Sequence, residues 1–391
     1  MITVEEALAR CFALVTPVGT ETVPLRQAAG RVLRQAAPAR LTQPPFAASA
    51  MDGYALGAAG EPGTRFTVLG EAGAGHAYAG AVGPDEAVRI FTGAPLPEGA
   101  VTIAIQEEVE ASGPAITLRK AAAPGDNIRP RGQDFAQGDS LQAPRRLTGN
   151  DIALLASMNL PEVTVARRPV VALIATGDEL VMPGETPGPD QIITSNTFAL
   201  AAMVEAAGGE ARMLPIARDN EDSLRMVFGL AEGADLVVTV GGASVGDHDL
   251  VGKVAGDLGL ERAFWKIAMR PGKPLMAGRL GAAVMLGLPG NPVSAIVCGH
   301  LFLLPLLKAM QGLPATPPAT RKARLGADTG PTGPRTHYMR ARLSDEGATI
   351  TPFDRQDSAL LSILSTADAL LIRPLGDGPR KAGDWAEYIP I

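Results

Sequence analysis

The sequence predicts a multidomain α/β plus β protein. It has a central doubly wound α/β domain, a small β domain inserted into an elongated linking domain, and a small C-terminal β-barrel-like domain. Three observations carry this. From 168 to 312, strand-like runs alternate with helical periods: VVALIAT, NTFALAAMVEAAGG, MLPIA, EDSLRMVFGLAEG, DLVVTVGG. That alternation is the sequence form of a parallel sheet flanked by helices. From 44 to 137 short apolar runs are split by Gly and Pro, which reads as all-β. At 391 residues the chain exceeds one ordinary domain.

Each element follows in order. Val4, Ala7, Leu8, Cys11, Leu14 and Val15 fall at helical spacing over 3–15, with Thr3 and Glu6 placed as a capping box. ETVPLRQAAGRVL is a short extended segment. RFTVLG, EAVRIFTG, VTIAIQEEVE and AITLRK are the strands of the inserted domain. LTGNDIALLASMNL at 147–160 returns to helix, with Asn150 expected as N-cap. Two helical segments thus flank the β block, giving a linking domain of 1–43 with 138–167, an inserted domain of 44–137 and an α/β domain of 168–312. LPATPPAT opens the last domain, 313–391, as a linker. ARLGAD, THYMRARL, GATITPF, ADALLIRP and AEYIPI are its strands.

Composition narrows the class. Net charge is −6, so a general nucleic-acid coat is excluded and any anion site must be local. The 45 Gly and 33 Pro indicate many loop-built surfaces. Two distant cysteines, Cys11 and Cys298, make no disulfide framework and suit a reducing cytoplasm. The N-terminus carries Glu5 and Glu6 without a basic region, so no signal peptide is expected. VSAIVCGHLFLLPLLKAM at 293–310 is apolar, but His300, Pro305 and Lys308 interrupt it. A buried helix is expected there, with no membrane span.

The chemistry concentrates between Thr239 and Ala295. Polar loops follow successive strands, at the edge where open α/β sheets bind ligands. TGDEL offers Asp178 and Glu179, and ARDN offers Asp219. GGASVGDHD offers two glycines, Gly241 and Gly242, for close backbone approach, Ser244 as a donor, and Asp247 and Asp249 as metal ligands. Gly and Asp are also ordinary turn residues, so the signal is the sharing of one edge by four loops. Lys266 and Arg270 lie four apart in a strand-like run, facing one way, and Lys273 follows in a Pro–Gly turn. Together they suit an oxyanion. In PGNP, Pro289 and Gly290 lead to Asn291 as N-cap and Pro292 as first helical residue, whose helix start offers N–H groups to an anion. No Walker loop, dinucleotide fingerprint, zinc spacing or nucleophile elbow is present.

These motifs resemble those of the molybdopterin molybdenumtransferases, the MoeA-like family that includes the E domain of gephyrin. The matching segments are SAMDGYA (49–55), IFTGAPLPEGA (90–100), NIRPRGQDF (127–135), TGDEL (176–180), GGASVGDHD (241–249), FWKIAMRPGKP (264–274) and GLPGNPVSA (287–295). They keep the family's order across most of the chain.

The resemblance implies insertion of molybdate into adenylylated molybdopterin with release of AMP, aided by Mg²⁺ or another divalent cation. It implies a MogA-like central domain and a homodimer. In that dimer the inserted domain of one subunit faces the α/β domain of the other. It also implies exchange with the adenylyltransferase and with cofactor-accepting molybdoenzymes. The catalytic residues carried over are Asp52, Asp134, Asp249, Lys266, Arg270 and Lys273. Nucleotide and pterin phosphate fall to Thr92, Gly241, Gly242, Ser244, Gly246, Pro289, Gly290, Asn291 and Ser294. Molybdate falls to Arg270, Lys273, Pro274, Arg340 and Ser358, and the metal to Glu179, Asp219 and Asp249, not all of which can be ligands.

The chain also departs from the pattern. Arg270 stands where Lys is common, the acidic pair near 219 is Asp219–Asn220, and Ala359–Leu360 replace a Ser and an Arg. Two other readings remain open at this level. One is a molybdopterin adenylyltransferase, which would need neither SAMDGYA nor the inserted domain. The other is a non-catalytic gephyrin-like scaffold, against which Asp249, Lys266 and Lys273 argue.

Overall fold

The computed structural model describes residues 1–242, 250–344 and 346–391. The chain forms two compact units. One holds Met1–Glu21, Gly30–Arg34 and Val165–Ile391, the other Thr22–Ala29 and Gln35–Thr164. The segments 1–43 and 138–167 are therefore divided between them.

The first unit contains the doubly wound domain. Its six-stranded sheet runs Glu210–Met213, Val170–Ala175, Leu236–Val240, Ala283–Leu288, Met276–Leu280, Leu260–Trp265. The first four strands pair in parallel and the last two antiparallel. Alternate side chains of one strand enter different cores, as period two requires. Val171 and Leu173 pack with Leu200 and Val204 of helix Asn196–Ala206. Ala172 and Ile174 pack with Leu224, Val227 and Phe228 of helix Glu221–Leu230. Loops leaving the parallel strands consequently gather at one edge.

Pro292–Met310 is one continuous apolar helical run, 78% buried, and serves as a core helix. Its middle, Gly299–Leu303, is a π turn. The terminal strands Arg321–Leu325, Thr349–Pro352, Thr336–Leu343, Ala369–Arg373 and Trp385–Pro390 close on themselves as a five-stranded barrel.

In the second unit a six-stranded sheet follows the order Thr102–Ile105, Gly53–Leu56, Glu86–Ile90, Arg65–Ala72, Ala115–Leu118, Val109–Ser112. It too is buried on both faces. Leu56, Phe66 and Ile116 lie on one side, and Ala55, Val88, Ile90 and Ile103 on the other.

Four local expectations are corrected. The strand after helix Asn196–Ala206 is Glu210–Met213, ahead of LPIA. Helix Gly149–Ser157 is capped by Thr148, which exchanges bonds with Asp151 in a full capping box, so Asn150 is not the cap. At the first helix, Val4–Leu14, Thr3 caps Glu6 N–H at 3.1 Å, but the Glu6 carboxylate turns to Arg10 at 2.6 Å. AFWKIAM is not one strand. Pairing stops at Trp265, Lys266 takes φ 66°, and Met269–Arg270 pairs in parallel with Thr336 and His337 of the barrel. Lys266 and Arg270 therefore do not share one strand, and the expected common face is absent.

Candidate functional site

Four loops meet at the carboxyl edge of the parallel sheet because the backbone ties them there. Thr176 N–H donates to Val240 O, Gly177 N–H to Ala217 O, and Gly241 N–H to Leu288 O, at 3.0, 3.0 and 3.1 Å. Glycine is required at the centre. Gly241 and Gly242 have φ of 96° and 64°, which L side chains disfavour. A Cβ on Gly241 would lie 2.7 Å from Thr176 O, and one on Gly242 would overlap the Val251 side chain.

The loops enclose a cavity of about 970 Å³ lined by Glu179, Asp219, Gly241, Gly242, Gly290 and Asn291. Pro274, Pro289 and Ala359 also reach it. Where the family pattern has a second Ser, this wall is therefore a methyl group. Glu179 and Asp219 are both exposed at the rim. Among the described residues no group of three or more His, Cys, Asp or Glu converges as a metal cluster. Ser244, Gly246, Asp247, His248 and Asp249 lie outside the described residues.

A second cavity of about 330 Å³ adjoins the first, since Pro274 and Asn291 line both. Arg270, Lys273 and Ser358 line it, and Ser294, placed above with the phosphate group, belongs to this wall. Arg335 joins them, a cation that sequence reasoning missed. Its nearness follows from the pairing of Met269–Arg270 with Thr336–His337, a contact that no local pattern announces. The cavity is strongly cationic. Burial first, then Arg270, Arg340, Arg373 and Arg335, holds the His337 imidazole down at about 4, so it is neutral near pH 7.

Two assigned residues take other positions, and a third makes other bonds. Lys266 lines neither cavity; its ammonium sits 3.8 Å over the Trp265 ring. Arg340 is 1% exposed and its guanidinium is committed. Nε and Nη2 donate to Gln356 Oε1 and Nη1 to Asp357 O, at 3.2, 3.1 and 2.7 Å. It is thus corrected from a molybdate contact to a brace behind the segment bearing Ser358. Asn291 stands at the N-cap position but makes no side-chain cap; its Nδ2 donates to Ser358 Oγ at 3.0 Å. Val293 N–H donates to Ser358 O at 3.0 Å, so that helix start offers fewer free donors than expected.

In the second unit Asp52 and Thr92 come together. Asp52 Oδ1 accepts the Thr92 N–H at 2.8 Å and its hydroxyl at 2.7 Å. Those bonds, with Arg89 nearby, hold the Asp52 carboxyl below its usual range. Arg89 stacks between Tyr54 and Phe91, at 4.9 and 5.0 Å, and donates to Gly53 O. Asp134 is exposed and lines a cavity of about 520 Å³ with Gln43, Gly93 and Arg129.

Comparison with known proteins agrees with this layout. Residues 2–159 match the MoeA N-terminal region (domain I and II), 172–309 a probable molybdopterin binding domain, and 322–391 the MoeA C-terminal region (domain IV). The chain is 37% identical over 369 residues to molybdopterin molybdenumtransferase 2 of Mycobacterium tuberculosis (strain ATCC 25618 / H37Rv), covering 90% of each. It is 31% identical over 398 residues to a molybdopterin molybdenumtransferase of Staphylococcus epidermidis (strain ATCC 12228 / FDA PCI 1200), covering 99% of this chain and 95% of that one. A solved molybdopterin biosynthesis MoeA protein from Pyrococcus horikoshii superimposes with TM-score 0.85 at 30% identity, over 100% of this chain and 99% of that one. With all three regions present in order, and relatives this similar over nearly their full length, the chain belongs to the MoeA family of molybdopterin molybdenumtransferases.

Proposed function

We propose that the protein inserts molybdate into adenylylated molybdopterin and releases AMP. The observation that carries this reading is the pair of adjoining cavities sharing Pro274 and Asn291. One is large, glycine-floored and acid-rimmed. The other is small and cationic. The first suits the nucleotide and pterin phosphates, with backbone approaching closely at Gly241, Gly242 and Gly290. The second suits the molybdate dianion, held by Arg270, Lys273 and Arg335 with Ser294 and Ser358 as hydroxyl partners. Placing the oxyanion beside the substrate turns a two-body encounter into a positioned one.

The rim carboxylates fit a divalent cation. Mg²⁺ needs one or two carboxylates plus phosphate oxygens, and Glu179 and Asp219 offer that number. Held by Glu179 and Asp219, such a cation would supply positive charge against the phosphates. The substrate then comes from an adenylyltransferase and the product goes to a molybdoenzyme. The two buried free cysteines suit a reducing compartment, the cytoplasm.

Purified protein given adenylylated molybdopterin, molybdate and Mg²⁺ is expected to release AMP and yield the molybdenum-loaded cofactor. If neither product forms, the reading fails. We further place the enzyme as a homodimer in which Asp52, Thr92 and Asp134 of one copy serve the cavities of the other. Asp52→Ala and Lys273→Ala proteins, each impaired alone at limiting molybdate, are then expected to regain activity once mixed and allowed to exchange subunits. Mixtures no more active than the separate variants despite exchange would refute that arrangement.

A further inference from the structure

Arg218 ties the two acid-bearing loops together. It lies between Ala217, whose carbonyl accepts the Gly177 N–H at 3.0 Å, and Asp219. Its Nη1 lies 3.4, 3.1 and 3.1 Å from the carbonyl oxygens of Gly177, Asp178 and Leu180. These carbonyls bracket Glu179 on both sides. A reciprocal bond runs the other way, from Asp219 N–H to Asp178 Oδ1 at 3.1 Å. The far end of the clamp is fixed as well. Arg218 N–H donates to Ser223 Oγ at 2.9 Å, and Asn220 Oδ1 caps Ser223 N–H at 2.9 Å at the start of helix Glu221–Leu230.

Three carbonyl oxygens of one short loop repel one another unless a donor stands among them. A cation with several N–H groups does this best, because charge-assisted bonds are the stronger kind. Among the described residues, the hydrogen bonds of the Arg218 side chain go to these backbone carbonyls and to no carboxylate. The side chain therefore shapes the loop and leaves Glu179 and Asp219 free.

We propose that Arg218 is a positioning residue that holds Glu179 and Asp219 at the separation a divalent cation requires. This rests on the metal reading above. The sign of its effect sets it apart from simple electrostatics. A fixed cation beside a metal site weakens metal binding by repulsion, so removing only its charge would tighten binding. Removing a clamp loosens the carboxylates and weakens binding.

The test is a Mn²⁺ titration followed by electron paramagnetic resonance, with AMP as the phosphate probe. It compares wild type, Arg218→Met and Arg218→Lys. Arg218→Met is expected to bind Mn²⁺ about tenfold more weakly, the usual scale for residues supporting metal ligands. Arg218→Lys, which keeps a multiple donor, is expected to recover most of that loss. AMP affinity without metal and the urea midpoint stay at wild-type values, since Arg218 is exposed. Equal or tighter Mn²⁺ binding by Arg218→Met overturns the proposal. So does an equal fall in metal-free AMP affinity, which would make Arg218 a direct nucleotide contact. Wild type that binds no Mn²⁺ with AMP overturns the metal reading itself, and this inference with it.

Discussion

Lys266 and Lys273 belong to one motif, yet their surroundings divide them. Lys273 reaches the cationic cavity from a Pro–Gly turn, whereas Lys266, at φ 66°, rests its ammonium on the Trp265 ring. A cation over an indole face is attracted by the ring quadrupole, and that holds Lys266 where it is. Lys273→Ala is accordingly expected to raise the KM for molybdate at least tenfold, about 1.4 kcal/mol of lost oxyanion binding. Lys266→Ala is expected to shift Trp265 fluorescence while molybdate KM stays within about threefold, because no direct contact is lost. Steady-state kinetics on the two variants decides this. Equal KM increases would return Lys266 to the oxyanion site.

The loops at the sheet edge show what sequence patterns can and cannot specify at the scale of an element. Gly241 and Gly242 were legible because a tight strand exit followed by close approach needs glycine, a purely local demand. The sheet was legible because strand and helix periods alternate. Lys266 was misread because nothing in AFWKIAM announces a left-handed residue, and an apolar run looks like one strand. Arg335 was missed because Met269–Arg270 leaves its own sheet to pair with a strand far along the chain. Thr148 and Asn150 both had capping chemistry, and only Thr148 stands where Asp151 can answer it.

The glycine floor makes its own prediction. Gly242→Ala forces an alanine to φ 64° and drives its Cβ into the Val251 side chain. The backbone penalty is roughly 1–2 kcal/mol and overpacking adds about 1–3 kcal/mol. The urea midpoint should fall and AMP binding should weaken. Adding Val251→Ala should recover the steric part and leave the backbone part. A Gly242→Ala protein with wild-type midpoint and affinity would show that the loop does not need this conformation.

Acid sensitivity belongs to the whole molecule, and the two units carry it unequally. Among the described residues, burial displaces two histidines, His300 in the core helical run and His337 in the barrel, and both belong to the first unit. Each is held at about 4 when folded against 6.5 unperturbed. The unfolded chain therefore binds more protons between those values, and stability falls as pH drops from 6.5 towards 4. Above 6.5 both states are neutral and the cost vanishes. The loss approaches about 3 kcal/mol per histidine at the acid end. Carboxylates held low, such as Asp151 and Asp377, lose their contribution only further down, below their own unfolded values. Between pH 6.5 and 4.5 the histidines should therefore dominate. Hydrogen exchange, corrected for its intrinsic pH dependence, is expected to show protection falling in Pro292–Met310 and Thr336–Leu343 on acidification. The sheet containing Gly53–Leu56 and Glu86–Ile90 in the second unit should hold. His300→Gln and His337→Gln should each flatten the loss in the first unit. Equal acid loosening of both units in all three proteins would remove the histidines as its cause.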